Sequence, residues 1–276
     1  MKRTFRNWAL TTGLMAFAIL APMRLVHAAE PSSMPPEHAS ASLPSGSSAS
    51  NAMAPAGLNN AEAMRVLIIG SSVARGWKDN PQEGVYLQRA FDAMSVLTPT
   101  TYEVIDKAQP GRGVLTIRDS YVDWLATYQP NFVVIAWGGL DDLAQKTPFA
   151  VYDGEIHWQI SEALAHHASV LLVTTPVSKA SYTTYRVAQQ KLMNSEIQVA
   201  DSFHSPNVYV FNVFDQMKQY LSAHHESIVS YMGDGWHPNA NGHALAAQLL
   251  VRDMMSKLPA PSPVFIPSKH SQTTTA

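Results

Sequence analysis

The chain predicts a single three-layer α/β domain built on a five-stranded parallel sheet. Two observations carry this. Near-continuous apolar runs such as Val66-Leu67-Ile68-Ile69 and Phe132-Val133-Val134-Ile135-Ala136-Trp137 suit strands buried on both faces. Segments of ten or more residues with helical periodicity separate those runs, as parallel strands require.

Taken in order, residues 65–70 form the first strand and 84–97 an amphipathic helix that turns Leu87, Ala90, Phe91 and Met94 inward. Residues 102–105 make a short strand, and Asp106 to Gly113 a turn. A helix over 115–127 leads to the strand at 132–137. A helix at 151–166, a strand at 169–174 and a long helix at 182–201 follow. The fifth strand is 208–213, then come helices at 215–223 and 240–256. No internal repeat and no second-domain boundary interrupts residues 64–258. Trp124, Trp137 and Trp158 fall on apolar faces and read as core.

The flanks differ in kind. Lys2, Arg3 and Arg6 precede an apolar stretch from Trp8 to Pro22 and then Val26-His27-Ala28-Ala29. This is the pattern of a signal peptide over residues 1–29, with cleavage after Ala28 or Ala29. The stretch is interrupted by Thr11, Thr12 and Gly13, and it falls short of the roughly 20 residues of a membrane span. No stable span is therefore expected after processing, and the mature chain is expected to be secreted or periplasmic. Residues 30–63 are Pro/Ser/Ala-rich and read as a linker. Residues 259–276 read as a loose tail.

Composition narrows the chemistry. A net charge of −2 over 276 residues favours neither nucleic acid nor an anionic membrane as partner. The absence of cysteine excludes disulfides, thiol nucleophiles and thiolate metal sites. The pairs His166-His167 and His224-His225 make poor chelates, because helical neighbours point about 100° apart. No metal and no cofactor is implied.

In an open parallel sheet, ligands bind beyond the C-terminal ends of the strands. Three strand-end loops there carry unusual residues: Gly70-Ser71-Ser72, Pro110-Gly111-Arg112-Gly113 and Gly138-Gly139-Leu140-Asp141-Asp142. A fourth segment, Asp234-Gly235-Trp236-His237-Pro238-Asn239, precedes the last helix. Ser72 is the candidate nucleophile, and a serine needs a base to take its proton. His237 is that base. Asp234, three residues earlier, can reach its Nδ1 and fix the tautomer. The Ser72 N–H and Gly111, whose backbone no Cβ shields, are candidate oxyanion donors. Arg75 and Trp77 read as loop packing. Trp236 reads as acyl-pocket lining or ordinary packing.

These four segments resemble the blocks of the SGNH or GDSL hydrolases. Gly70-Ser71-Ser72 followed by Arg75-Gly76-Trp77 is similar to the family's Gly-Asp-Ser block, and Gln109-Pro110-Gly111 to its second-block glycine. Asp234 to Pro238 matches Asp-x-x-His-Pro at every defined position. The resemblance implies a flavodoxin-like sheet, Ser72, Asp234 and His237 as catalytic residues, and an oxyanion hole at Ser72 and Gly111. The third block, Gly-x-Asn-Asp, departs. Aligning Asp142-Leu143 puts Asp141 where the Asn amide should donate, and an ungapped count from the strand puts Leu140 there. An ionised Asp141 repels an oxyanion; a protonated one donates.

The expected activity is that of a secreted serine esterase working through an acyl-enzyme on short acyl groups, O-acetyl on an extracytoplasmic glycan among them. Lipase or lysophospholipase activity, or a catalytically weak glycan-binding domain, are the alternatives. A nucleotide-binding reading lacks both Gly-x-Gly-x-x-Gly and a Gly-Lys-Ser/Thr loop.

Overall fold

A computed structural model describes residues 63–77 and 84–259. The segment read as a signal peptide, and nearly all of those read as linker and tail, lie outside the described residues. Five parallel strands form one sheet in the order β2-β1-β3-β4-β5. They are β1 (Met64–Gly70), β2 (Tyr102–Asp106), β3 (Phe132–Ala136), β4 (Ser169–Val173) and β5 (Val208–Phe211).

Strand alternation divides the core in two. On one face Leu67, Ile69, Val133, Ile135, Val170 and Leu172 pack under α2 (Arg118–Tyr128), α4 (Phe149–Ala165), α5 (Arg186–Asp201) and α6 (Val213–Ala223). On the other, Val66, Ile68, Val134 and Leu171 meet α1 (Tyr86–Leu97) and α7 (Ala240–Lys257). Both faces of β1 and β3 are covered, which is why their sequences read as unbroken apolar runs. Each fully buried branched side chain contributes about 1.5–3 kcal/mol of transfer free energy. Trp137 is 1% exposed, while Trp124 and Trp158 are partly buried against the first core.

The predicted elements stand, with shifts at several ends, such as the fifth strand stopping at Phe211 rather than 213, and with these further differences. The helix expected over 115–127 begins as a 3-10 turn, Val114–Ile117, before α2. The helix expected from 182 begins at Arg186, after a 3-10 turn at Ala180–Tyr182. A six-residue helix, α3 (Leu140–Gln145), occupies what reads as a loop. It is too short to show a helical period, and left-handed Gly139 and Lys146 bound it.

The register places the site. β1 and β3 finish side by side, Gly70 opposite Ala136. A Cβ on residue 70 would run into the Ala136 carbonyl oxygen. Glycine there lets the two central strands end in close contact, with their loops on one edge.

Candidate active site

Ser72 follows β1 by two residues, in a tight turn. The Arg75 N–H donates to Ser71 O at 3.1 Å, and the Trp77 N–H to Ser72 O at 2.9 Å. The serine is 8% exposed. Its partner arrives from far along the chain: Ser72 Oγ lies 2.9 Å from His237 Nε2.

The loop that carries His237 is closed on itself. Met232 bridges Pro238, and the Gly233 N–H donates to His237 O at 2.8 Å. Within it Asp234 Oδ1 accepts the Trp236 N–H at 2.7 Å and the His237 N–H at 2.9 Å. The same oxygen is 2.9 Å from His237 Nδ1, and Oδ2 is 3.0 Å away. Burial pushes the Asp234 carboxyl up. The two backbone N–H groups and the imidazole outweigh that and hold it below the usual carboxylate range. A carboxylate at Nδ1 keeps the ring proton there, so Nε2 presents its lone pair to the serine.

The other half of the site is built differently. A small recess beside Ser72 is lined by Gly138, Leu140, Asp141, Thr175, Gln189 and His237, among others. Leu140 and Asp141, the two residues that alternative alignments put at the third-block donor position, are thus both in its wall. Burial raises the Asp141 carboxyl, and His237 pulls it part of the way back. Gly111 does not line the recess. It sits on an exposed turn with φ +72°. Among the described residues, no backbone carbonyl takes the N–H of Ser72 or of Gly111.

Several polar residues support these loops, and of them only Asp142 stood out in the sequence, through its place in the third block. Asp142 is 3% exposed, and its two oxygens accept the Val114 N–H at 3.3 and 3.4 Å. Burial raises its pKa to about 6 against the Val114 N–H and the Thr147 hydroxyl, which both lower it. The Val114 carbonyl is held in turn by Gln159 Nε2 at 3.0 Å, and Gln159 Oε1 takes the Trp137 indole N–H at 2.9 Å. The second-block turn is thereby tied to the third block and to the end of β3. Gln189 Nε2 donates to Gly138 O at 2.9 Å and Ser181 Oγ to Gln189 Oε1 at 2.8 Å. Thr175 follows β4 on the same sheet edge, and its place after a strand is the signal that could have found it.

Arg75 does pack locally, through a 2.8 Å ion pair with Asp106. Trp77 departs from the loop-packing expectation. It is 50% exposed, with its ring centroid 6.3 Å from that of His237. Trp236 lines the recess and stands edge-on to Tyr185 at 5.9 Å.

The sequence profile of the GDSL-like Lipase/Acylhydrolase family matches residues 68–245. The chain belongs to that family. The match runs from β1 into α7 and takes in all four blocks, so the chain is a carboxylic-ester hydrolase of the GDSL type. Solved structures agree on the fold. The acetylxylan esterase Axe2 of Geobacillus stearothermophilus superposes with a TM-score of 0.58 at 16% identity, over 69% of this chain and 94% of Axe2. A lipase/acylhydrolase of Enterococcus faecalis superposes with a TM-score of 0.56 at 19% identity, over 71% of this chain and 98% of its own. Among curated protein sequences none matches this chain. Among the described residues no helix is long and apolar enough to cross a membrane.

Proposed function

We propose that this GDSL-family hydrolase cleaves its ester through a serine acyl-enzyme, with Ser72 as nucleophile, His237 as general base and Asp234 as the acid that orients it. The observation that carries the reading is the unbroken chain of contacts from Ser72 Oγ to His237 Nε2 at 2.9 Å and from Nδ1 to Asp234 at 2.9 Å. Structures described as catalytic mutants of Axe2 replace a serine, an aspartate and, three residues after that aspartate, a histidine. Asp234 and His237 have the same separation.

In the first half-reaction Oγ attacks the ester carbonyl carbon while its proton passes to Nε2. The tetrahedral intermediate collapses, and the departing alkoxide takes that proton from His237. Water then attacks the acyl carbon, giving its proton to Nε2. Collapse releases the carboxylic acid and restores the serine. The Ser72 and Gly111 N–H groups are the proposed oxyanion donors, with Asp141 in the recess wall beside Ser72.

Short acyl groups, O-acetyl on a glycan outside the cytoplasm among them, are the proposed substrates. The charged, apolar and small-residue pattern at the N-terminus supports export, and Axe2 is described as an acetylxylan esterase. A second reading, a glycan-binding domain with little turnover, is favoured only by Asp141 in place of the family's Asn. Hydrolysis of p-nitrophenyl acetate separates the two. Ser72→Ala is expected to lower kcat by about 10⁴-fold or more, and equal rates in the two proteins overturn the catalytic reading.

A further inference from the structure

The surroundings of Ser72 are lopsided, and the imbalance bears on which part of an ester the protein recognises. The recess beside Ser72 has an open volume of about 10 Å³, room for roughly one water. Leu140 and Thr175 are buried within its wall. An acyl chain of any length has no channel there.

The side at His237 is the opposite. Trp77 leaves half its surface in solvent, 6.3 Å from the imidazole that must hand a proton to the leaving alcohol. A large indole exposed beside a reactive group is an unfilled contact surface. Its backbone is held, because the Trp77 N–H donates to Ser72 O at 2.9 Å and the Gly76 N–H to Val73 O at 3.1 Å. One turn thus carries both the nucleophile and the indole. Among the described residues, Arg75 on the same turn is paired with Asp106 at 2.8 Å.

Resting on the esterase reading above, we infer that Trp77 is the alcohol-side subsite, a stacking platform for the ring of an O-acetylated pyranose. A sugar ring is rigid and apolar on its C–H faces, which suits an exposed indole. A hydroxyl on such a ring, acetylated, places its ester oxygen toward His237 Nε2 and its two-carbon acyl group toward the closed recess.

The test compares acetylated xylo-oligosaccharide with ethyl acetate, which keeps the acyl group and offers nothing to stack, with acid release followed by pH-stat. The wild type is expected to prefer the sugar ester. Trp77→Ala is expected to lower the ratio of kcat/KM for sugar ester over ethyl acetate about tenfold, the size of one aromatic contact, chiefly through KM. Trp77→Tyr should restore most of it. In Ser72→Ala protein, calorimetry should show the sugar ester binding, and the added Trp77→Ala change should weaken it by a similar factor. An unchanged ratio, or activity on lysophosphatidylcholine that falls with Trp77→Ala while the sugar ester is unaffected, overturns the platform and leaves the esterase standing. Wild-type rates no higher than those of Ser72→Ala on both esters, with no binding, remove both.

Discussion

The two halves of this site are made in contrasting ways. The attacking half, Ser72, His237 and Asp234, is closed by hydrogen bonds of 2.9 Å at each step. Two of its three members lie within four residues of chain, on a loop whose carboxylate also caps its own backbone. The receiving half is spread over loops after three different strands. Its third-block position falls on Asp141 or Leu140, both in the recess wall, and its second-block glycine sits on an exposed turn outside the recess. Short-range spacing makes the first half robust. The second depends on long-range supports such as Asp142 and Gln159.

After loss of Ser72 itself, the hardest blow to the attacking half is Asp234→Asn. The Trp236 and His237 N–H groups hold the residue's oxygen, which turns the new amide toward Nδ1. The imidazole then carries its proton on Nε2 and cannot accept from Ser72. A loss in kcat of about 10³–10⁴-fold is expected, measured on p-nitrophenyl acetate, with the serine still in place. A loss below tenfold would mean that Asp234 does not set the tautomer.

The receiving half offers a gain instead. Asp141→Asn puts a neutral amide donor where a carboxylate stands, and about a tenfold rise in kcat is expected, below the 10²–10³ that one such donor is worth when fully formed. The sign with pH follows from the raised Asp141 pKa. At acid pH the wild-type carboxyl is protonated and already neutral, so the advantage of the variant shrinks. As pH rises and Asp141 ionises, the advantage grows. A flat ratio of variant to wild type across the pH profile would place the donor elsewhere.

The smallest effect concerns the support. A Cβ on residue 113 would lie 2.5 Å from Asp142 Oδ1, while the backbone there, at φ −95°, suits any residue. Gly113→Ala therefore strains only the contact to Asp142, at a cost of about 1–3 kcal/mol in unfolding free energy, read by urea denaturation. Asp142 itself moves with pH. Its folded-state pKa of about 6 stands above the usual carboxylate value. Its contribution is most favourable below the unfolded pKa and is lost as pH rises through about 6.

Legibility in the sequence followed the range of the interactions. β1 and β3 announced themselves because both their faces are buried, and Asp234-x-x-His237 because one turn of chain completes the contact. Helix α3 stayed hidden, being too short to repeat. The Asp142–Val114 contact spans 28 residues, and no local pattern marks it. Gln159 and Gln189 sit on helices as ordinary polar residues, and only folding reveals that their amides hold Val114 and Gly138. Trp77 is a related case, half exposed with its ring 6.3 Å from that of His237. An aromatic after a glycine turn reads as packing until its exposure beside His237 is seen.

The self-closed loop at Asp234 has a consequence for how this enzyme comes together. Acid and base are matched to each other chiefly within residues 232–238, while the Ala180 N–H holds Gly235 O from outside at 2.9 Å. They form a short cassette whose two side chains are three residues apart. The remaining alignment is one docking event, the meeting of Nε2 with Ser72 across 165 positions of sequence. Recovery of activity on refolding then reports the moment when the cassette seats on the β1 turn.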